Sequence, residues 1–351
     1  MSRIHPSHPL QLERRFFLLS VSSLIASTLF SSCASSNQSQ QANQAPDITT
    51  NPPKLVRIGL TKGSTIFLIL KAQKTLEERL KQIGTQVQWF EFQTIPLALE
   101  AVNAGSLDFS SGVDTSMVFA QANGVPFVYT SAMPQRPKGL ALIVNDDSPI
   151  HTLADFKGKK VGYGIGWSLH YFLVKALESV GLTVDDIQSV KITGAADGIA
   201  ALKSRSIDVF AIWDPFYASA EKTMKIRTIV DGQGFAPNRG YTLATPSFAK
   251  AYPEVVKVIL EKLQAAGDWA NQNQRQASEI LSPLLGMDVD TLEITMKRQT
   301  LGIIPMGEQI IKEQQEIADV FFHLKLISKQ IRVEEMVPST PQWVSNSLTK
   351  I

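Results

Sequence analysis

Residues 159–171 read KKVGYGIGWSLHY, and the chain continues FLVKALESVGL to residue 182. The stretch opens as a short apolar strand and passes through a turn carrying Gly162, Gly164 and Gly166. Ser168 stands where an N-cap is expected. Leu169, Phe172, Leu173, Ala176, Leu177 and Val180 then recur at helical spacing until Gly181 ends the run. A strand feeding a tight turn into a helix leaves backbone N–H groups unpaired at the positive end of the helix dipole. Such an end suits an anion. Many α/β proteins contain one such unit for packing alone, but this chain contains it twice. IGLTKGST at 58–65 matches VGYGIGWS at 161–168 through Ile58/Val161, Gly59/Gly162, Gly63/Gly166 and Thr65/Ser168. SLDF at 106–109 matches SIDV at 206–209, and a further aspartate follows each, Asp114 and Asp214. Two half-similar α/β units predict two lobes, each presenting a helix N-terminus to the space between them.

The 351 residues suffice for two cores, and 44% hydrophobic with 19% charged residues is a globular composition. The formal charge is +2, and residues 1–32 carry Arg3, Arg14 and Arg15 against Glu13, so the remainder is nearly neutral. That balance argues against nucleic acid as a partner and leaves any anion recognition local. The single cysteine, Cys33, excludes an internal disulfide and a cysteine metal cluster.

Cys33 follows a basic pair, Arg14-Arg15, an apolar run at 16–30 and Ser31-Ser32. This is the layout of a signal peptide over 1–32. Ser-Ser-Cys resembles a bacterial lipobox, in which the cysteine is lipidated, and the arginine pair also resembles a twin-arginine signal. The following residues to 53 hold almost no large apolar side chains and are expected to form a disordered tether of about 25 Å mean span.

Alternating strands (54–60, 86–92, 107–110, 126–130) and helices (65–83, 96–104, 115–122) predict a mostly parallel sheet for the first lobe. Turn-rich residues 133–139 read as a crossing into the second lobe, with strands at 140–144, 161–163, 190–192, 209–212 and 226–230. A loop from 232 to 240 and a strand at 241–244 read as the return, after which the pattern is helical to about 326. The expected division is 54–138 and 241–351 for the first lobe, with 139–240 for the second. Two crossings make a two-strand hinge, which suits closure on a ligand.

Taken together, the chain resembles the aliphatic-sulfonate, nitrate and taurine substrate-binding proteins of ABC importers. The residues that carry the likeness are KGST at 62–65, LEAVNAGSLDF at 99–109, VDT at 113–115 and FVYT at 127–130. DSPIHTLADFKGKKVG at 147–162, SLHY at 168–171, AIWDPFYA at 211–218 and NRGYTLA at 238–244 continue it. The resemblance is strongest to the sulfonate-binding members. It implies the periplasmic-binding-protein type II fold: two Rossmann-like α/β lobes, a two-strand hinge and a helical C-terminal segment. It also implies an extracytoplasmic binder that is not an enzyme, uses no cofactor, is monomeric and delivers a small organic anion to a permease and its ATPase.

By the same resemblance, Lys62, Gly63, Ser64 and Thr65 line the first wall of the cleft together with Asp114 and Thr115. Gly166, Trp167, Ser168 and His170 face them, and Trp213 and Asp214 close the pocket. The turn that in sulfonate-binding members reads Lys-Gly-Ser-Ser-x-His is Ile165-Gly166-Trp167-Ser168-Leu169-His170 here. Trp167 either stacks on a ligand or fills space left by a smaller one. Arg239 is a candidate cation if it points inward and otherwise a solvated loop residue. Asp114 and Asp214 either cap helices and orient donors or meet an ammonium.

The sequence holds no zinc spacing among its five histidines, no G-x-S-x-G elbow and no Walker loop. The alternatives carried forward are a nitrate or bicarbonate binder, and a binder or enzyme for a thiamine-precursor pyrimidine.

Overall fold

The computed structural model describes residues 51–343. The signal peptide, nearly all of the tether and Cys33 lie outside them. Among the described residues, ten strands form two five-stranded sheets. The first sheet contains β1 (Leu55–Thr61), β2 (Gln86–Phe92), β3 (Phe109–Val113), β4 (Val128–Ala132) and β10 (Gly240–Ala244), in the order β2-β1-β3-β10-β4. The second contains β5 (Leu140–Asn145), β6 (Lys160–Tyr163), β7 (Gln188–Lys191), β8 (Val209–Trp213) and β9 (Ile226–Asp231), in the order β7-β6-β8-β5-β9. Each sheet is parallel except for the strand that enters directly from a crossing. β10 runs antiparallel between β3 and β4, and β5 antiparallel between β8 and β9. The sheets are therefore mixed, with one reversed strand apiece. Helices and the C-terminal segment cover them, giving the two-lobed type II architecture.

The repeat read from the sequence is a repeat of packing. The Asp108 carboxylate accepts from the Arg57 amide of β1, and Asp208 from the Lys160 amide of β6, each at 2.8 Å. A Cβ at Gly59 would lie 2.5 Å from the Leu107 side chain, and one at Gly162 would lie 2.6 Å from that of Ile207. Glycine at both strands thus lets the following Ser-Leu/Ile-Asp turn seat its apolar residue against the sheet. The two aspartates of this motif are structural.

Three expectations are corrected. The helix over 65–83 is two helices, Thr65–Gln73 and Thr75–Lys81, because Lys74 takes a left-handed φ of 59° and caps the first. The helical run after Pro246 breaks at 298–307, where Ile304 instead bridges Ala132 at the end of β4. Ser168 is the first residue of its helix, Ser168–Glu178. Trp167 holds the N-cap position, with no side-chain cap.

The crossings at residues 133–139 and 232–239 run side by side. The Met133 amide donates to Gly240 O at 2.8 Å, Arg136 N to Pro237 O at 3.1 Å and Gly232 N to Pro137 O at 3.2 Å. Over both lobes lies the helix Glu308–His323. Its Phe321 ring packs against Phe119 of the first lobe at 5.6 Å and His170 of the second at 6.0 Å.

Candidate functional site

The two sheets point helix N-termini at one another. After β3, the helix Asp114–Ala122 starts at once, and after β6 the glycine turn leads into Ser168–Glu178. Gly166, at φ 80°, supplies the left-handed turn that non-glycine residues resist. A Cβ there would also press on the Phe119 ring of the facing helix at 3.1 Å. The two helix ends meet in a hydrogen bond from Ser168 Oγ to Asp114 Oδ1. Asp114 Oδ1 also accepts from the Thr115 amide at 2.7 Å. Burial pushes the Asp114 pKa up, opposed by these two donors and by the nearby charge of Arg136. From behind, Gln314 donates to Asp114 O at 2.7 Å.

On the second lobe, Trp167 lies against the bare backbone of Gly164, where a Cβ would approach the indole to 2.3 Å. Its ring meets Trp213 edge-on at 5.3 Å, and Trp213 meets Phe216 at 5.3 Å. Trp167 remains 38% exposed, so this aromatic wall retains a free face. Asp214, the residue after Trp213, receives Arg298 Nη1 at 3.0 Å and the Ala218 amide at 3.1 Å. Arg298 also donates to Glu221 and stacks over Tyr217 at 4.2 Å. Burial raises the Asp214 pKa to about 6 against the pull of Arg298. Beside this pair a recess of about 240 Å³ opens between the hinge residues Gln135, Pro137 and Lys138 and residues 297–300.

The site residues expected from the sequence separate into two groups. Asp114, Ser168, Trp167, Trp213 and Gly166 come together, and Thr115 is buried beside Asp114. Lys62 and Gly63 are exposed, and half-buried Thr65 begins the helix Thr65–Gln73. Ser64 is engaged within its own lobe: its amide donates to Thr61 O at 2.9 Å, and its hydroxyl pairs with Ser111 Oγ at 2.8 Å.

Two residues have other duties. Arg239 does not offer its charge to the cleft, because Nε binds Glu313 at 2.8 Å and Nη1 binds Met133 O at 3.0 Å. His170 does not face the opposite lobe as a donor. Its Nδ1 accepts from the Gly166 amide at 3.2 Å, its ring packs at 5.0 Å from Tyr163, and burial lowers its pKa to about 4. It fastens the turn as a neutral imidazole.

Sequence reasoning missed Arg136, Arg298 and Gln314. Arg136 lies in a stretch of prolines and polar residues that reads only as a turn, and no local pattern marks the other two.

Comparisons with known proteins agree with this architecture. The family model described as NMT1/THI5 like matches residues 83–277. A relative from Escherichia coli (strain K12), named for binding aliphatic sulfonates, is 32% identical over 81% of this chain and 89% of its own length. The crystal structure of the periplasmic aliphatic sulphonate binding protein SsuA from Escherichia coli superposes with a TM-score of 0.80 at 30% identity. That match covers 84% of this chain and 95% of the other. The alkanesulfonate-binding protein SsuA from Xanthomonas axonopodis pv. citri, bound to MOPS, gives 0.74 at 29% identity, with 82% and 99% covered.

Proposed function

We propose, from the premise that the chain belongs to the NMT1/THI5-like family, that it is the solute-binding protein of an ABC importer and takes a small organic anion, an aliphatic sulfonate, between its lobes. The observation that carries this reading is the seat of the Asp114 carboxylate oxygen on Ser168 at the N-terminus of the opposite helix. In this reading a sulfonate oxygen takes over that hydroxyl, at the positive end of the helix dipole, as the lobes move. Trp167 and Trp213 give the alkyl part an apolar surface. Each hydrogen bond to a charged oxygen contributes ~1.5–3 kcal/mol, so a handful, less the cost of association, reaches micromolar binding near ~−8 kcal/mol.

In this reading the protein delivers its ligand unchanged to a permease and its ATPase, as the relatives named for sulfonate binding suggest. It works outside the cytoplasm as a monomer. Among the described residues no helix is long and apolar enough to cross a membrane. The attachment proposed is a lipid on Cys33, read from the Ser31-Ser32-Cys33 that follows the apolar run at 16–30, with residues 34–53 as the tether. Cys33→Ser moves the protein from the membrane fraction to the soluble one on fractionation. Unchanged partitioning removes the anchor.

Calorimetric titration tests the site with alkyl and aryl sulfonates, taurine, nitrate, bicarbonate and a thiamine-precursor pyrimidine. A sulfonate binds at micromolar level, and Thr65→Ala with Ser168→Ala weakens it by at least about tenfold. Full affinity in the double variant places the ligand elsewhere, and a response to another ligand alone replaces the sulfonate reading.

A further inference from the structure

We propose that Arg136 is the residue that takes the charge of the bound anion: held at the hinge, its guanidinium fork is the cation a sulfonate head meets as the lobes close. This deepens the function proposed above and rests on it.

Both crossings hold Arg136. Its amide donates to Pro237 O at 3.1 Å, and its carbonyl accepts from Asn238 Nδ2 at 3.0 Å and Gly139 N at 3.1 Å. Its Nε donates to Asn238 O at 3.1 Å. The backbone and the root of the guanidinium are thus fixed by two segments that belong to neither lobe alone. Nη1 and Nη2, by contrast, have no hydrogen-bond partner among the described residues. Arg57, Arg227, Arg239 and Arg298 differ, since each commits one or both Nη groups to a carbonyl or carboxylate. A guanidinium has five N–H donors, and Arg136 has spent one.

Its surroundings call for a negative partner. Arg136 lies within electrostatic reach of Asp114 and Asp214, one carboxylate from each lobe, while burial opposes its charge. Both aspartates are pinned to the crossings through their backbones, Asp114 N to Arg239 O at 3.1 Å and Asp214 N to Gly139 O at 2.8 Å. Their paired oxygens are turned to other donors: Asp114 Oδ1 to Ser168 and Thr115, and Asp214 Oδ1 to Arg298 and Ala218, while Asp214 Oδ2 is buried without a partner among the described residues. Neither touches the Arg136 fork. A half-buried cation with a rigid root, a free planar fork and no contacting counter-ion among the described residues matches two oxygens of one anion. A sulfonate spanning Arg136 and Ser168 touches the hinge and the second-lobe helix together, so the charge that binds it also reports closure.

The test is calorimetric titration of the full chain with butanesulfonate. Arg136→Gln is expected to weaken binding about 100-fold, and Arg136→Lys, which keeps the charge and loses the fork, about tenfold. Both variants should melt within a few degrees of the parent. Arg136→Gln binding within threefold of the parent overturns the inference. So does equal weakening of both variants with a shared drop in melting temperature, the mark of a purely structural arginine. A parent chain that binds no sulfonate defeats the proposed function, and this inference with it, so the two failures read differently.

Discussion

Arg298→Met is expected to destabilise the folded chain by about 3–5 kcal/mol at pH 8 and by only about 1 kcal/mol at pH 5. The Arg298 and Asp214 side chains are only 18% and 9% exposed, and the pair joins the segment after helix Val289–Lys297 to the end of β8 in the second lobe. Removing the guanidinium strands a buried carboxylate, which is far costlier than replacing both partners. The cost depends on the carboxylate being ionised. Asp214 already titrates near pH 6 with Arg298 lowering its pKa, and without Arg298 that pKa climbs further. At pH 5 the variant therefore holds a neutral acid and loses little beyond the stack on Tyr217 and the partly exposed ion pair with Glu221. Urea denaturation at the two pH values measures the difference. An equal loss at both would mean that the contact works through packing rather than charge.

The second large effect is concealed in the parent protein by cancellation. Asp214 has a folded pKa of about 6, above the unfolded value of 3.8. Its contribution is complete below pH 4 and is lost as pH rises through 6. His170 has a folded pKa of about 4, below the unfolded 6.5, so its neutral burial costs nothing above pH 6.5 and progressively more as pH falls toward 4. Each shift amounts to about 3 kcal/mol, with opposite sign over nearly the same window. The parent stability should accordingly vary little from these two groups between pH 4.5 and 6.5. Asp214→Asn should uncover a rise of about 2–3 kcal/mol across that window, and His170→Asn, whose amide oxygen can still accept from Gly166, a fall of similar size. Profiles for both variants that run parallel to the parent would show that these groups do not carry the shifts.

The strands, the crossings and the repeat were legible in the sequence because each is written locally. Gly59 and Gly162 precede helices at matching distances, and Asp108 and Asp208 sit where a strand amide needs an acceptor. Local pattern reports that a position is buried and on which face, but does not name the group it meets. Ser168 has the character of an N-cap by type and position, yet its hydroxyl is drawn to Asp114, fifty-four residues away in sequence. Arg239 looked available because Glu313 is seventy-four residues downstream. Lys74 broke the long helix through backbone conformation, although lysine is a good helix former. Arg136 had no signal, since proline-rich turns are read as connections and the hinge is made of them.

The position of β10 sets an order of assembly. All five strands of the second sheet lie between residues 140 and 231, so a chain emerging from a ribosome or a translocation channel carries that sheet whole before the return crossing appears. The first sheet has a gap at its fourth place until Gly240–Ala244 arrives, because β3 and β4 touch only through β10. Synthesis runs from the first lobe to the second; completion of the sheets runs in the opposite direction. The half that is made first is the last to close, and its unpaired strands at β3 and β4 are the surface a holding chaperone would shield until then.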